Sequence, residues 1–284
     1  MPIDPAKAVG AKLADGETSY DRDQVILYHL GVGAGVPPTD PGELEYTFEK
    51  NLKVLPSFAV IPAFGSMGGI GNVPGLEFNF AMLLHGEQEV ILHKPLPPQQ
   101  KLKTSAHIPE IYDKGKAALV ILESTARDES GDPLFTNRFS LFIRGEGGFG
   151  GDSGPKAGNA APDRAPDGVV ESKTLPQQAL IYRLSGDKNP LHADPEFAKM
   201  AGFDQPIIHG LCSYGVVCKA IVDEVLDGDV ARVARYQARF AGVGFPGETY
   251  RTSYWKEGDR ILLEAKSVER NAPIISNAAI TLRD

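Results

Sequence analysis

Cysteine is almost missing from this chain: 284 residues hold two, Cys212 and Cys218. Two thiols so close in sequence make no disulfide framework, and they read as small apolar residues on one helix in a reducing cytosol. Long apolar runs are missing as well, and no stretch approaches membrane-spanning length. The opening MPIDPAKAVGAKLADGE carries no signal-peptide core, and the final Thr281-Leu282-Arg283-Asp284 is not a peroxisomal Ser-Lys-Leu ending. These absences lead us to expect a cytoplasmic protein. Positive charge is in the minority, with 29 Lys and Arg against 37 Asp and Glu and a net charge of −8. That balance argues against nucleic acid or an anionic membrane as the main partner, while leaving room for a local basic patch facing a phosphorylated ligand.

Several signatures of chemistry are missing too. There is no Walker A loop. Ser66 in FGSMG and Ser213 in LCSYG both lack the upstream glycine of a nucleophile elbow. Neither HExxH nor a Cys/His zinc spacing occurs. One GxGxxG is present, Gly242-Val-Gly244-Phe-Pro-Gly247, but Pro246 and its β-rich flanks mark a strand-to-strand turn and not a nucleotide loop.

The composition that remains, 42% hydrophobic and 23% charged, is that of a soluble globular protein with length enough for two domains. Residues 146–168, dominated by Gly, Ala, Pro and Asp, read as a linker between an N-terminal unit (1–145) and a C-terminal unit (169–284). The two units echo each other. Tyr28-x-Leu30 near the start of one matches Tyr182-x-Leu184 near the start of the other, each on a short amphipathic helix. A more apolar stretch follows in each: Pro56–Gly65 in the first, Gly210–Asp227 in the second. Each unit then ends in strand-like runs separated by turn signals. We expect strands over Gln88–Lys94, Lys101–Asp113, Ala117–Glu129 and Leu134–Arg144, and again over Arg235–Gly242, Thr249–Glu257, Arg260–Arg270 and Ile274–Arg283. A helix followed by a strand meander, twice over, implies an α+β fold with one helix against each antiparallel sheet. The glycine-rich FGSMGGIGNVPG makes a long regular helix unfavourable in the first unit, which leaves space there.

The densest chemistry lies between Leu180 and Gly215. Asp187, Asn189 and His192 fall within six residues, and His209-Gly210 follows after a short connection. Pro190 disfavours helix at Asn189, so a loop lets these side chains converge. Asp187, His192, Asp194 and His209 are all types that bind metal, but Asp194 before Pro195 suits a helix N-cap better. A carboxylate and an imidazole facing one water can position it and exchange its protons. Gly210 opens the apolar helix, where unpaired N–H groups suit a developing oxyanion. The competing reading is a plain capping loop, with Asp187 and Asn189 as turn residues and His192 satisfied in a polar core.

The run Tyr182-Arg-Leu-Ser-Gly-Asp187-x-Asn189-Pro-Leu-His192-x-Asp194-Pro, followed by His209-Gly210-Leu, resembles the signature of the (R)-specific 2-enoyl-CoA hydratases, the MaoC-like or type 2 hydratases. Leu84-His85-Gly86-Glu87-Gln88, Lys94-Pro-Leu-Pro, Asp113-Lys114-Gly115, Phe139-Ser-Leu-Phe and Gly147-Gly-Phe-Gly-Gly extend the likeness to their two-repeat, eukaryotic-type form. The resemblance implies a double hot-dog fold whose second repeat alone is catalytic, a first repeat with a degraded helix, and a homodimer. It implies no metal, no cofactor beyond the coenzyme A of the substrate, and reversible hydration of a trans-2-enoyl-CoA to a (3R)-3-hydroxyacyl-CoA. Carried onto this sequence, it makes Asp187 and His192 the acid–base pair, Asn189 their support and Gly210 the oxyanion donor. It makes His85, Gly86, Lys114 and Phe240 contacts to the acyl-CoA thioester. A hot-dog thioesterase or a non-catalytic acyl-CoA binder are the alternative readings.

Overall fold

Ten strands hydrogen-bond into one antiparallel sheet in this computed structural model, which describes residues 3–156 and 158–283. They are β1 (Gly16–Tyr20), β2 (Leu83–Leu92), β3 (Gln100–Asp113), β4 (Ala117–Arg127) and β5 (Pro133–Arg144), then β6 (Gly168–Lys173), β7 (Val233–Phe240), β8 (Thr249–Glu257), β9 (Arg260–Ser267) and β10 (Pro273–Leu282). The helices are α1 (Pro5–Ala8), α2 (Arg22–Gly31), α3 (Pro41–Thr47), α4 (Val60–Ala63), α5 (Gln178–Tyr182), α6 (Pro195–Met200) and α7 (Gly210–Leu226). No described helix is long and apolar enough to cross a membrane.

The strand order exposes the repeat. From the outer edge inward the first half runs β1-β3-β4-β5-β2, and the second runs β6-β8-β9-β10-β7. The halves join where β2 pairs with β7, in register from Glu87 opposite Arg239 to Ile91 opposite Arg235. The echo of Tyr28 and Tyr182 is physical as well: both are buried, and their rings lie 5.9 Å apart between α2 and α5.

The α+β expectation holds, and the central strands fall close to where alternation places them. Two strands carried too weak a pattern to be anticipated. β1 and β6 are short edge strands, and along β6 no residue is fully buried. An edge strand buries little, so its sequence is hardly constrained to alternate. A third difference has functional weight. The strand expected from Gln88 begins at Leu83, because Gly86 is absorbed as a β-bulge and does not end the strand: His85 pairs with Leu141, and Glu87 with Ser140.

α7 is buried along most of its length and carries the second half's core. It stops where Asp227 enters the left-handed region at φ 54°, and the N–H groups of Asp227 and Gly228 both return to the Val222 carbonyl. The corresponding stretch of the first half is broken, as its glycines led us to expect. It consists of a 3-10 turn (Pro56–Ala59), the single turn of α4, and a 3-10 run (Phe64–Asn72).

The Gly/Ala/Pro-rich segment between the halves, read as a linker, packs on the sheet. It crosses the outer face of the sheet. Ala161 covers a small cluster of Trp255, Leu262 and Ala279, and the Trp255 indole N–H donates to the Arg164 carbonyl at 3.1 Å. Asn277 donates to the Gly158 carbonyl at 2.9 Å. A segment poor in large apolar residues can still be ordered when its backbone satisfies neighbouring side chains.

Candidate active site

The loop after α5 is shaped by its own side chains. Gly186, at φ 136°, ends the helical turn Arg183–Ser185. Asp187 Oδ1 then accepts the Asn189 N–H at 3.0 Å, and Asn189 Oδ1 accepts the Leu191 N–H at 3.0 Å, capping the turn Pro190–His192. Asp194 caps α6 by accepting from Glu196 and Phe197 at 2.9 and 3.3 Å, as its place before Pro195 suggests. The capping-loop reading is therefore correct for the polar residues as local structure, yet it leaves capacity unspent. Asp187 keeps a second carboxylate oxygen, and the exposed Asn189 keeps its amide N–H groups.

His192 is different in kind, because it is buried. Its Nδ1 lies 2.8 Å from the Ile207 carbonyl. A carbonyl only accepts, so Nδ1 carries the proton and the neutral ring presents Nε2 as a lone pair. Burial lowers the pKa of this imidazole; the Ile207 carbonyl and Asp187 pull the other way. His209 stacks on it with ring centroids 3.7 Å apart. One donor atom from each of Asp187, His192 and His209 lies within 4.8 Å of the others. The structure thus brings Asp187 and His192 together, and it adds His209, which sequence reasoning placed in the motif without a role. Gly210 is the first residue of α7, so its N–H has no intrahelical acceptor.

The residues expected to contact a thioester converge from separate elements. His85, Gly86, Lys114 and Phe240 all line one cavity of about 760 Å³ that straddles the β2–β7 junction. That volume is in the range of small-molecule sites. Successive strand residues alternate faces, so one extra residue at Gly86 turns His85 from the outer face to the helix side. There it meets Phe139 and Phe240, with centroids at 5.7 and 5.0 Å. Its Nε2 is buried without a partner, and burial pushes its pKa down to about 4. Asp187, Asn189 and His192 are not in the cavity lining; Phe240 makes the link, since a Cβ on Gly210 would lie 3.2 Å from its ring.

Lys114 sits at the cavity rim because the β3–β4 turn is tied down. The Asp113 carboxylate accepts from the N–H groups of Gly115, Gly148 and Gly150 at 2.7, 2.9 and 2.8 Å. Lys114 itself donates to the Ser153 carbonyl. The outer wall is lined by charge pairs, Arg239 with Glu87 at 2.7 Å and Arg138 with Glu110 at 2.6 Å. A rim charge in water contributes about 0.2–1 kcal/mol. Lys114→Ala should therefore raise KM by no more than about fivefold with kcat little changed, as steady-state kinetics at two salt concentrations would show.

Three buried histidines also make stability depend on pH. Burial holds His29 and His85 near 4 and His209 near 3, against an unfolded value near 6.5. Between pH 6.5 and about 4 the unfolded chain binds more protons than the native one, so stability falls as pH drops. Each of His29 and His85 contributes on the order of 3 kcal/mol over that window. Denaturant melts at pH 7 and pH 5 should show the midpoint falling with acid; a flat or rising midpoint would contradict the neutral, buried assignment.

With this geometry in view, comparison with known proteins is informative. Residues 18–145 match the family described as MFE-2 hydratase 2 N-terminal domain, and residues 157–278 match the MaoC like domain family. Enoyl-CoA hydratase ChsH3 of Mycobacterium tuberculosis is 46% identical over 283 residues, covering 99% of both chains. A MaoC-like dehydratase from Phytophthora capsici superposes with a TM-score of 0.88 at 34% identity, covering 99% of both chains. At 12% identity and a TM-score of 0.59, a Mycobacterium tuberculosis protein described as having a double hotdog fold covers 99% of this chain and 98% of its own, and shows the fold alone.

Proposed function

The chain belongs to the MaoC-like hydratases in their two-repeat, double hot-dog form, and we propose that it reversibly hydrates a trans-2-enoyl-CoA to the (3R)-3-hydroxyacyl-CoA. One observation carries this reading: the Asp187/His192 pair gathers with His209 just before α7, and Gly210, the first residue of that helix, abuts the ring of Phe240, which lines a cavity with His85, Gly86 and Lys114.

The thioester carbonyl makes C3 electrophilic. Water sits between the free carboxylate oxygen of Asp187 and His192 Nε2, and the Asn189 amide supports it. As its oxygen bonds to C3, the water gives up a proton to this pair, and the pair supplies a proton to C2, so one H and one OH are added overall. Negative charge grows meanwhile on the thioester oxygen, where the Gly210 N–H donates. One such donor is typically worth about 3–4 kcal/mol, and acid–base assistance roughly 10²–10⁴-fold. Positioning of the water supplies more. His192 Nδ1 is committed to the Ile207 carbonyl, and His209 Nε2 faces the Asp187 carbonyl. Each ring then has one nitrogen left, and the steps above use only that of His192.

The apolar side chains of Leu180, Leu184, Phe197 and Met200, exposed on and beside α5 and α6, support a homodimer. Light scattering at micromolar concentration tests it. The two free, buried thiols of Cys212 and Cys218 support a reducing, cytoplasmic location, which cell fractionation tests.

The activity is tested with purified protein and trans-2-enoyl-CoAs of several chain lengths, following loss of the conjugated-enoyl absorbance alongside a thiol-reactive dye. Absorbance should fall with no thiol released. Thiol release would indicate a thioesterase, and saturable binding without turnover at any chain length would indicate a binder.

A further inference from the structure

His209 has no part in the proton transfers described above, yet no other ring touches the His192 imidazole so closely. The two rings are stacked, with centroids 3.7 Å apart and planes 27° from parallel. The same His209 ring faces the Asp187 backbone carbonyl through Nε2 at 3.2 Å. Since a carbonyl only accepts, Nε2 carries the proton, and the neutral ring has its lone pair at Nδ1, which is buried without a partner. His209 is 1% exposed and is the last residue before α7, so its backbone is fixed by the helix start. Tyr182, from α5, packs on the ring at 4.9 Å. One side chain therefore braces both members of the catalytic pair: the imidazole by its face, the carboxylate by its main chain.

We propose that His209 is a positioning residue for hydration, a neutral stacking platform that fixes the plane of His192 and pins the Asp187 loop against the start of α7. The proposal rests on the hydratase reading above and deepens it. Three consequences follow from the geometry. The stacked ring denies water one face of His192, which leaves Nε2 a bare base at neutral pH. It stops the His192 ring from tilting about its single anchor, the Nδ1 hydrogen bond to Ile207. It also keeps the Asp187 loop from drifting off the helix that carries the Gly210 N–H.

The charges around the ring agree with a neutral platform. Tyr182 and Arg183 face it from α5 and the turn that follows, Asp187 from the loop and His192 from the stack; of these, burial first and then His192 and Arg183 disfavour a proton on His209, while the Asp187 carbonyl favours it. Two imidazolium ions could not stack at this distance without strong repulsion, so only one ring of the pair carries charge at a time. When His192 takes a proton during turnover, the face of a neutral His209 is there to meet it.

Replacements of His209 separate the two tasks. His209→Phe keeps a stacking face and loses the donor to Asp187. His209→Gln keeps a donor of comparable reach and loses the face. His209→Ala loses both. If the platform sets geometry, His209→Ala lowers kcat by about 30- to 100-fold with KM changed by less than about threefold, the scale expected when a reacting group is displaced by roughly an ångström. His209→Phe recovers most of that loss, and His209→Gln recovers little. The acidic limb of the kcat/KM profile moves to higher pH in His209→Ala, because His192 gains water and protonates more readily, and it returns in His209→Phe. A merely structural role would lower the folded fraction without moving that limb. Thermal melts monitor folding, and the near-isosteric Phe and Gln variants keep the comparison open should the Ala variant fail to fold. The proposal is overturned if His209→Ala keeps native kcat and an unmoved acidic limb, or if Phe and Gln lose activity equally. Inactivity of the unaltered protein on every enoyl-CoA would overturn the hydratase reading instead.

Discussion

Asp187→Asn abolishes hydration to within about a thousandth of the native kcat and leaves the fold intact. The substitution is nearly isosteric, and the Asn carbonyl oxygen can still accept the Asn189 N–H that shapes the loop. What disappears is the second carboxylate oxygen, the atom available to orient water and exchange its proton. General acid–base groups contribute roughly 10²–10⁴-fold. The upper part of that range is expected, because the partner base, His192, cannot hold the water alone. KM should change by less than about threefold, since the proposed binding contacts come mainly from β2, the β3–β4 turn and β7. Steady-state assays on an enoyl-CoA check the rate, and a thermal melt checks the fold. An active Asp187→Asn protein would remove the carboxylate from the mechanism.

Gly215→Val produces the opposite pattern, loss of the fold rather than of the chemistry alone. Gly215 lies on the buried face of α7 where the helix crosses α2. A Cβ there would lie 2.5 Å from Val32 Cγ1 and 2.6 Å from the Tyr28 hydroxyl. Real Cβ contacts do not come that close, so the Val32 and Tyr28 side chains, or the helices that carry them, must shift. Both obstacles are buried, and Tyr28 is wedged against Phe58 and Tyr182. Overpacking of this kind costs about 1–3 kcal/mol for ordinary cases, and the two extra methyls of Val place this one at the upper end or beyond. In a domain of this size 1 kcal/mol moves Tm by roughly 2–4 °C, so a fall of about 8 °C or insoluble protein is expected. The contact crosses between the repeats, which makes it a test of how the halves are held together. Combining Gly215→Val with Val32→Ala should recover part of the loss; equal stability of Gly215→Val and the unaltered protein would mean that α2 and α7 do not meet this closely.

The two variants separate what was legible in the sequence from what was not. The loop from Asp187 to His192 could be read because its instructions are local: Pro190 disfavours helix, Asp and Asn cap turns, and a carboxylate, an amide and an imidazole fall together in a short span. The duplicated tyrosines, Tyr28 and Tyr182, were visible as an echo, although not as a ring contact. The apolar face of α7 and the broken helix of the first half followed from composition. What escaped depends on distant parts of the chain. The bulge that turns His85 inward needs β5 opposite β2, and within its own strand Gly86 looks like an interruption. The short edge strands β1 and β6 bury too little to alternate strongly. The segment between the halves looked like a linker because its order comes from partners such as Trp255 and Asn277, far along the chain. His209 was conspicuous in the motif, but nothing local says that a ring 17 positions after His192 stacks on it.

The measurement that bears most directly on the central claim is chiral analysis of the product. A trans-2-enoyl-CoA incubated with the protein should give the (3R)-3-hydroxyacyl-CoA in large excess, and the Asp187→Asn protein should form it about a thousandfold more slowly. A predominantly (3S) product, or release of coenzyme A without hydration, would contradict the assignment of Asp187 and His192 as the pair that delivers water to C3.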